Sequence, residues 1–183
     1  MGIFENRDDG RNGCYYGLGE LIENGGVYYD VEGSSPRETL GSLINALALK
    51  GEVCCFGNDI PPSGNCVPQL LLLQAVMERE ALMSTSIGYG IAIPHPRNPL
   101  IDNPKGQFAS LAFLKQPVDW NSIDRKPVDT LLLVVSASAK MHLRTLSKIT
   151  FFSREEKFQK LLKERAPKEE IIKYIKDTEG EWK

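Results

Sequence analysis

Leu131-Leu-Leu-Val-Val135 runs directly into Ser136-Ala-Ser-Ala-Lys-Met-His142, and this passage decides the architecture. An unbroken apolar run without polar alternation marks a strand covered on both faces. Leu143, Leu146 and Ile149 then recur at helical spacing, so the strand leads straight into a helix. Upstream, Gln107-Phe-Ala-Ser-Leu-Ala-Phe-Leu114 reads as a second strand, followed by a loop holding Pro117, Trp120 and Pro127. Val27, Tyr29 and Val31 alternate as in a strand. Ser35 then offers an N-cap, Pro36 a first helical position and Glu38 a capping box for a helix carrying Leu40, Leu43, Ile44 and Leu47. Gly51 marks that helix's stop, and Pro68 opens another through Leu70–Leu73, Val76 and Met77 to about Leu82. Two short helices finish the chain, around Phe158–Leu162 and from Pro167 through Ile171, Ile172 and Ile175. Strands alternating with helices predict an α/β layered domain. Residues 1–20 are expected to form a flexible tail, and 21–183 a single domain.

Composition narrows the function. At 183 residues, 42% hydrophobic and 25% charged, the chain suits one globular domain. A net charge of −2 with dispersed Lys and Arg gives no footprint for nucleic acid. No apolar run has the length of a membrane span, so direct membrane insertion is not expected. The start Met1-Gly-Ile-Phe-Glu-Asn6 lacks a secretory apolar core, and Asn6 stands where a myristoylation motif takes Ser or Thr. The expected location is the cytoplasm. Cys14, Cys54, Cys55 and Cys66 do not form a disulfide framework. Three of them fall in the turn-rich insert 54–66, where adjacent cysteines with one distant partner fit zinc spacing poorly.

The chemistry gathers at the two histidines. In Ser84-Thr-Ser-Ile-Gly-Tyr-Gly-Ile-Ala-Ile-Pro-His-Pro96, a strand is expected with Ile87, Tyr89, Ile91 and Ile93 on one face. Gly88, Gly90 and Ala92 form a bare face that another group can approach closely. His95 lies just past the strand's end between two prolines that lack an N–H and fix φ. A ring held this stiffly suits a nucleophile that presents one nitrogen, although a turn histidine fits the same pattern. His142 falls in the first turn of the helix after the buried strand, where a helix N-terminus favours anions and disfavours protonation. It also shares an apolar stripe with Leu146 and Ile149, so simple packing is an alternative. Neither a Walker loop nor a Rossmann Gly-x-Gly-x-x-Gly turn is present, so a nucleotide is unsupported. Two histidines at strand ends beside anion-friendly backbone instead suggest one phosphate site and a covalent phosphohistidine.

Arg79-Glu-Ala-Leu-Met-Ser-Thr-Ser-Ile-Gly-Tyr-Gly-Ile-Ala-Ile-Pro-His95 closely resembles the signature of the enzyme IIA component of the bacterial phosphoenolpyruvate-dependent phosphotransferase system, mannitol/fructose and nitrogen-related type. Asp119–Asp129, Met141-His-Leu-Arg-Thr-Leu146 and Ile175-Lys-Asp-Thr-Glu-Gly180 are similar to further segments of that family. The resemblance implies a mixed sheet of about five strands sandwiched between helices. It implies that His95 accepts a phosphoryl group from the phosphohistidine of HPr or a paralogue, then passes it to an enzyme IIB or holds it as a signal. His142 is implied to bind the phosphate or orient the ring, and Arg79 to neutralise phosphate charge. Ser84 and Thr85 match hydroxyl residues near the phosphate, and either serves equally as a turn cap. Phosphoryl transfer needs positioning and charge stabilisation above all, and no metal or cofactor is called for. The chain carries no enzyme IIB or transporter segment, which leaves room for a regulatory module controlling a kinase or transporter. Pro96 replaces the family's usual glycine, and the 54–66 insert has no counterpart in the family pattern. Both bear on partner choice.

Overall fold

A computed structural model describes residues 16–50, 53–54 and 67–182. Its centre is a five-stranded mixed sheet in the order β1-β6-β7-β5-β4. These strands are β1 (Val27–Val31), β4 (Ser86–Gly88), β5 (Ile91–Ala92), β6 (Phe108–Val118) and β7 (Val128–Val135). A separate two-stranded parallel pair, β2 (Val53–Cys54) with β3 (Val67–Pro68), closes the base of the insert. The rest of the insert lies outside the described residues.

β7 explains the three layers. It pairs antiparallel with β6 and parallel with β5, and its side chains alternate between two cores. Leu131, Leu133 and Val135 pack with α2 (Pro36–Leu49) and α3 (Gln69–Leu82) through Leu40, Leu43, Ile44, Leu72 and Val76. Leu132 and Val134 face the opposite core, built on α1 (Leu18–Gly25), α4 (Ala139–Phe152), α5 (Glu156–Lys163) and α6 (Lys168–Gly180). Both faces of the sheet are thus removed from water, as the apolar run predicts.

Several expectations need correction. The tail expected over 1–20 ends earlier, because α1 begins at Leu18, whose side chain is 0% exposed. Residues 1–15 of that tail lie outside the described residues. The helix is capped from far along the chain: the Leu18 and Gly19 N–H groups donate to the Glu179 carboxylate at 2.8 and 3.2 Å. Gly25 lets α1 press onto β6, since a Cβ there falls 2.4 Å from the Ala109 carbonyl oxygen. The alternation expected along β1 breaks at Asp30, where φ is 54° and the register with β6 shifts. Val27 and Val31 consequently belong to different cores.

The single strand expected over 84–93 is a hairpin. Tyr89 (φ 57°) and Gly90 (φ 75°) form a two-residue turn between β4 and β5, and positive φ at both positions is what tight hairpin turns demand. The glycines therefore shape a turn rather than clear a face. Pro117, placed in a loop by the sequence reading, falls inside β6 beyond its last pairing with β1 at Leu114. In α2 the Ser35 Oγ accepts the Glu38 N–H, but the Glu38 carboxylate reaches one residue further back than a capping box, to Ser34. Leu143, expected on the buried stripe of α4, is 65% exposed.

Candidate functional site

The segment bearing His95 is fixed from both sides of its strand. The Ile93 N–H donates to the carbonyl of Thr85, the residue before β4, at 3.0 Å, and the Val134 N–H of β7 donates to the Pro94 carbonyl at 3.0 Å. With Pro94 and Pro96 restricting the backbone, little freedom remains. His95 itself is 8% exposed. Its Nδ1 lies 2.6 Å from the Ile93 carbonyl oxygen. A carbonyl only accepts, so Nδ1 carries the proton and the neutral ring keeps its lone pair on Nε2. Burial lowers the pKa of His95 and the Arg79 charge lowers it further, against raising effects of the Ile93 hydrogen bond and of Glu80. The net direction leaves an unprotonated Nε2 at neutral pH.

His142 enters one turn into α4, where Ser138 Oγ caps the helix by accepting the Met141 N–H at 3.3 Å. The two imidazole centroids are 4.7 Å apart with planes inclined by 53°. Burial lowers the His142 pKa to about 4, with smaller contributions from His95 and Arg79. The neutral state expected of His142 is therefore present, although burial rather than the helix terminus is its chief cause. Arg79, in the last turn of α3, donates from Nη1 to the Met83 carbonyl at 2.9 Å, and its charge acts on both histidines. Further guanidinium N–H groups remain for an anion.

The structure assigns Ser84 and Thr85 local duties. Ser84 Oγ donates to the Trp120 carbonyl at 2.7 Å and accepts the Ser86 N–H at 3.3 Å, tying the loop after β6 to the start of β4. Thr85, itself buried, donates its N–H and Oγ–H to the Glu80 carboxylate at 2.9 and 2.5 Å. Both hydroxyl protons are thus committed to protein acceptors. Glu80 was not singled out by the sequence reading. Its signal was its place beside Arg79, five residues before a threonine at a helix-to-strand junction.

A hollow of about 600 Å³ lies at the opposite, β1 edge of the sheet, lined by Ile22, Gly26, Lys50, Ile172 and Lys176 among others. Neither histidine lines it. Among the described residues no helix is long and apolar enough to cross a membrane.

What the arrangement can do is take an anion at an unprotonated imidazole nitrogen, beside a second neutral imidazole and a guanidinium. Residues 20–178 match the family model described as "Phosphoenolpyruvate-dependent sugar phosphotransferase system, EIIA 2". The chain is 34% identical over 151 residues to a nitrogen regulatory protein of Escherichia coli (strain K12), covering 77% of this chain and 91% of that protein. It is 27% identical over 155 residues to the mannitol-specific phosphotransferase enzyme IIA component of Staphylococcus aureus (strain Mu50 / ATCC 700699), covering 83% and 93%. In fold it is similar to the nitrogen regulatory protein IIA-Ntr from Neisseria meningitidis, with a TM-score of 0.68 and 21% identity over 86% of this chain and 98% of that one. With the family model spanning nearly all of the sheet and its flanking helices, the chain belongs to the EIIA 2 family of the phosphoenolpyruvate-dependent sugar phosphotransferase system.

Proposed function

We propose that His95 is a phosphocarrier nucleophile that takes a phosphoryl group from the phosphohistidine of an HPr-like protein. Its Nε2 lone pair attacks phosphorus in line with the donor's P–N bond. A new P–N bond forms at Nε2, the donor's bond breaks, and the electron pair returns to the donor imidazole. The Nδ1 proton stays on His95, donated to the Ile93 carbonyl, and that bond strengthens as the ring becomes cationic. Arg79 faces the phosphoryl oxygens with positive charge, and the neutral His142 donates its N–H to one of them. Ser84 and Thr85, already engaged, act by shaping the site.

The observation that carries this reading is the 2.6 Å contact of Nδ1 with Ile93 O, which leaves the nucleophilic lone pair on Nε2. Exposed Leu82, Met83 and Leu143, neighbours in sequence of the site's Arg79–Ser84 and His142 segments, support docking of a protein donor rather than a small molecule. Incubation with phosphoenolpyruvate, enzyme I and an HPr-like carrier should add the mass of one phosphoryl group. His95→Ala should abolish the gain. No gain with any paralogous carrier overturns the reading.

The phosphoryl group then passes to an enzyme IIB, or its presence on His95 sets binding to a kinase or transporter, in a nitrogen-related role. The second use is favoured by the 34% identity to a protein named nitrogen regulatory protein. A pulldown with wild type and His95→Asp should recover different partners. Identical partners would argue against a switch.

A further inference from the structure

We propose that Glu80 is a positioning residue for His95, acting through a continuous hydrogen-bonded chain that runs Glu80–Thr85–Ile93–His95. The chain begins at the end of α3. There the Glu80 carboxylate takes both the N–H and the Oγ–H of Thr85, at 2.9 and 2.5 Å. Thr85's own carbonyl accepts the Ile93 N–H at 3.0 Å, and the Ile93 carbonyl accepts the His95 Nδ1–H at 2.6 Å. Every link has a single polarity: the carboxylate and the two carbonyls accept, and the N–H, O–H and ring N–H groups donate. The Glu80 charge also acts on the ring through space, raising the His95 pKa against the opposite effects of burial and Arg79.

The arrangement does two things. It holds Thr85 in the register that keeps the Ile93 carbonyl within hydrogen-bond reach of Nδ1, which fixes the aim of Nε2. It also sets the negative charge of Glu80 against the positive charge of Arg79 in their effect on His95, both from the end of α3, with neutral His142 beside the ring from α4. When the ring becomes cationic on phosphorylation, a negative charge at the far end of the chain lowers the cost. Without it, Arg79 would favour the phosphate but penalise the phosphorylated ring.

The rate effect rests on the phosphocarrier reading, whereas the effect on the ring does not. The test uses the full chain with ¹⁵N-labelled histidine in wild type, Glu80→Gln and Glu80→Asp. Ring-nitrogen shifts of His95 are followed against pH, and the phosphotransfer rate from an HPr-like carrier is measured beside thermal unfolding. Removing the negative charge while keeping the side chain's length should move the His95 titration to lower pH. The transfer rate should fall roughly tenfold, the scale of a small misalignment of a reacting group. Glu80→Asp, which keeps the charge, should restore the titration toward wild type. A Glu80→Gln protein whose His95 titrates as in wild type overturns the proposal, whether or not its melting temperature has dropped. If wild type accepts no phosphoryl group, the phosphocarrier reading fails and the titration alone decides Glu80.

Discussion

Because a carbonyl oxygen has no proton to give, the contact between Ile93 O and His95 Nδ1 leaves the lone pair of the neutral ring on Nε2, the nitrogen we propose as the nucleophile. The companion histidine makes a different prediction. Its pKa is about 4 in the fold against 6.5 for an unperturbed histidine, so the unfolded chain binds the extra proton more readily than the native one. Stability should be full above the unfolded value and decline as pH falls from 6.5 towards 4. His95, also lowered, acts in the same direction. His142→Gln should flatten part of that decline in thermal melts taken across the window. An unchanged slope would mean that His142 protonates freely in the folded protein. The residue scale was also where the sequence was most informative: Pro94-His95-Pro96 and His142 were visible, and their places at strand ends beside anion-friendly backbone already joined them in one site. Glu80 escaped notice because its partners become neighbours only when α3 turns into β4.

Among the elements, α1 and the β4–β5 hairpin depart furthest from expectation, for different physical reasons. The turn was legible in hindsight from Gly88-Tyr-Gly90, but alternating Ile87, Tyr89 and Ile91 mimics one continuous strand. α1 had no such local signal. Eight residues containing two glycines form a marginal helix alone, and its N-terminal amides are satisfied by Glu179, which is 161 residues from Leu18. Helices with a proline at their start were readable instead: Ser35-Pro36 opens α2 and Pro68 precedes α3, as their sequences indicate. The seat of α1 gives a direct prediction. Gly25→Ala puts a methyl group 2.4 Å from the Ala109 carbonyl oxygen, which is backbone and cannot rotate away. The helix must lift off β6, at a cost of about 2 kcal/mol in unfolding free energy by denaturant titration. A loss below a few tenths would show that α1 rides more loosely.

Across the whole molecule one carboxylate ties three helices together. Glu179 of α6 caps α1 and pairs with Lys148 of α4 at 2.6 Å, with both side chains only 12% exposed. Removing one partner of a buried pair leaves the other charge stranded, so Glu179→Ala should lower stability by about 3 kcal/mol. Because α4 also carries His142, the same variant should broaden the His142 ring signals in NMR spectra. Sharp, unshifted signals would show that the pair does not set the position of that helix. The layered plan was legible from Leu131–Val135, since a strand apolar on both faces needs a covering layer on each side of its sheet. The long-range ties were not, because an ion pair between α4 and α6 leaves no mark in local periodicity.

All three scales converge on a single nitrogen atom. The most direct test is to phosphorylate ¹⁵N-histidine-labelled protein with phosphoenolpyruvate, enzyme I and an HPr-like carrier, then read phosphorus–nitrogen coupling by NMR. The predicted result is one phosphoryl group on Nε2 of His95, with Nδ1 still protonated. Phosphate on Nδ1 of His95, on His142, or on neither histidine would contradict it.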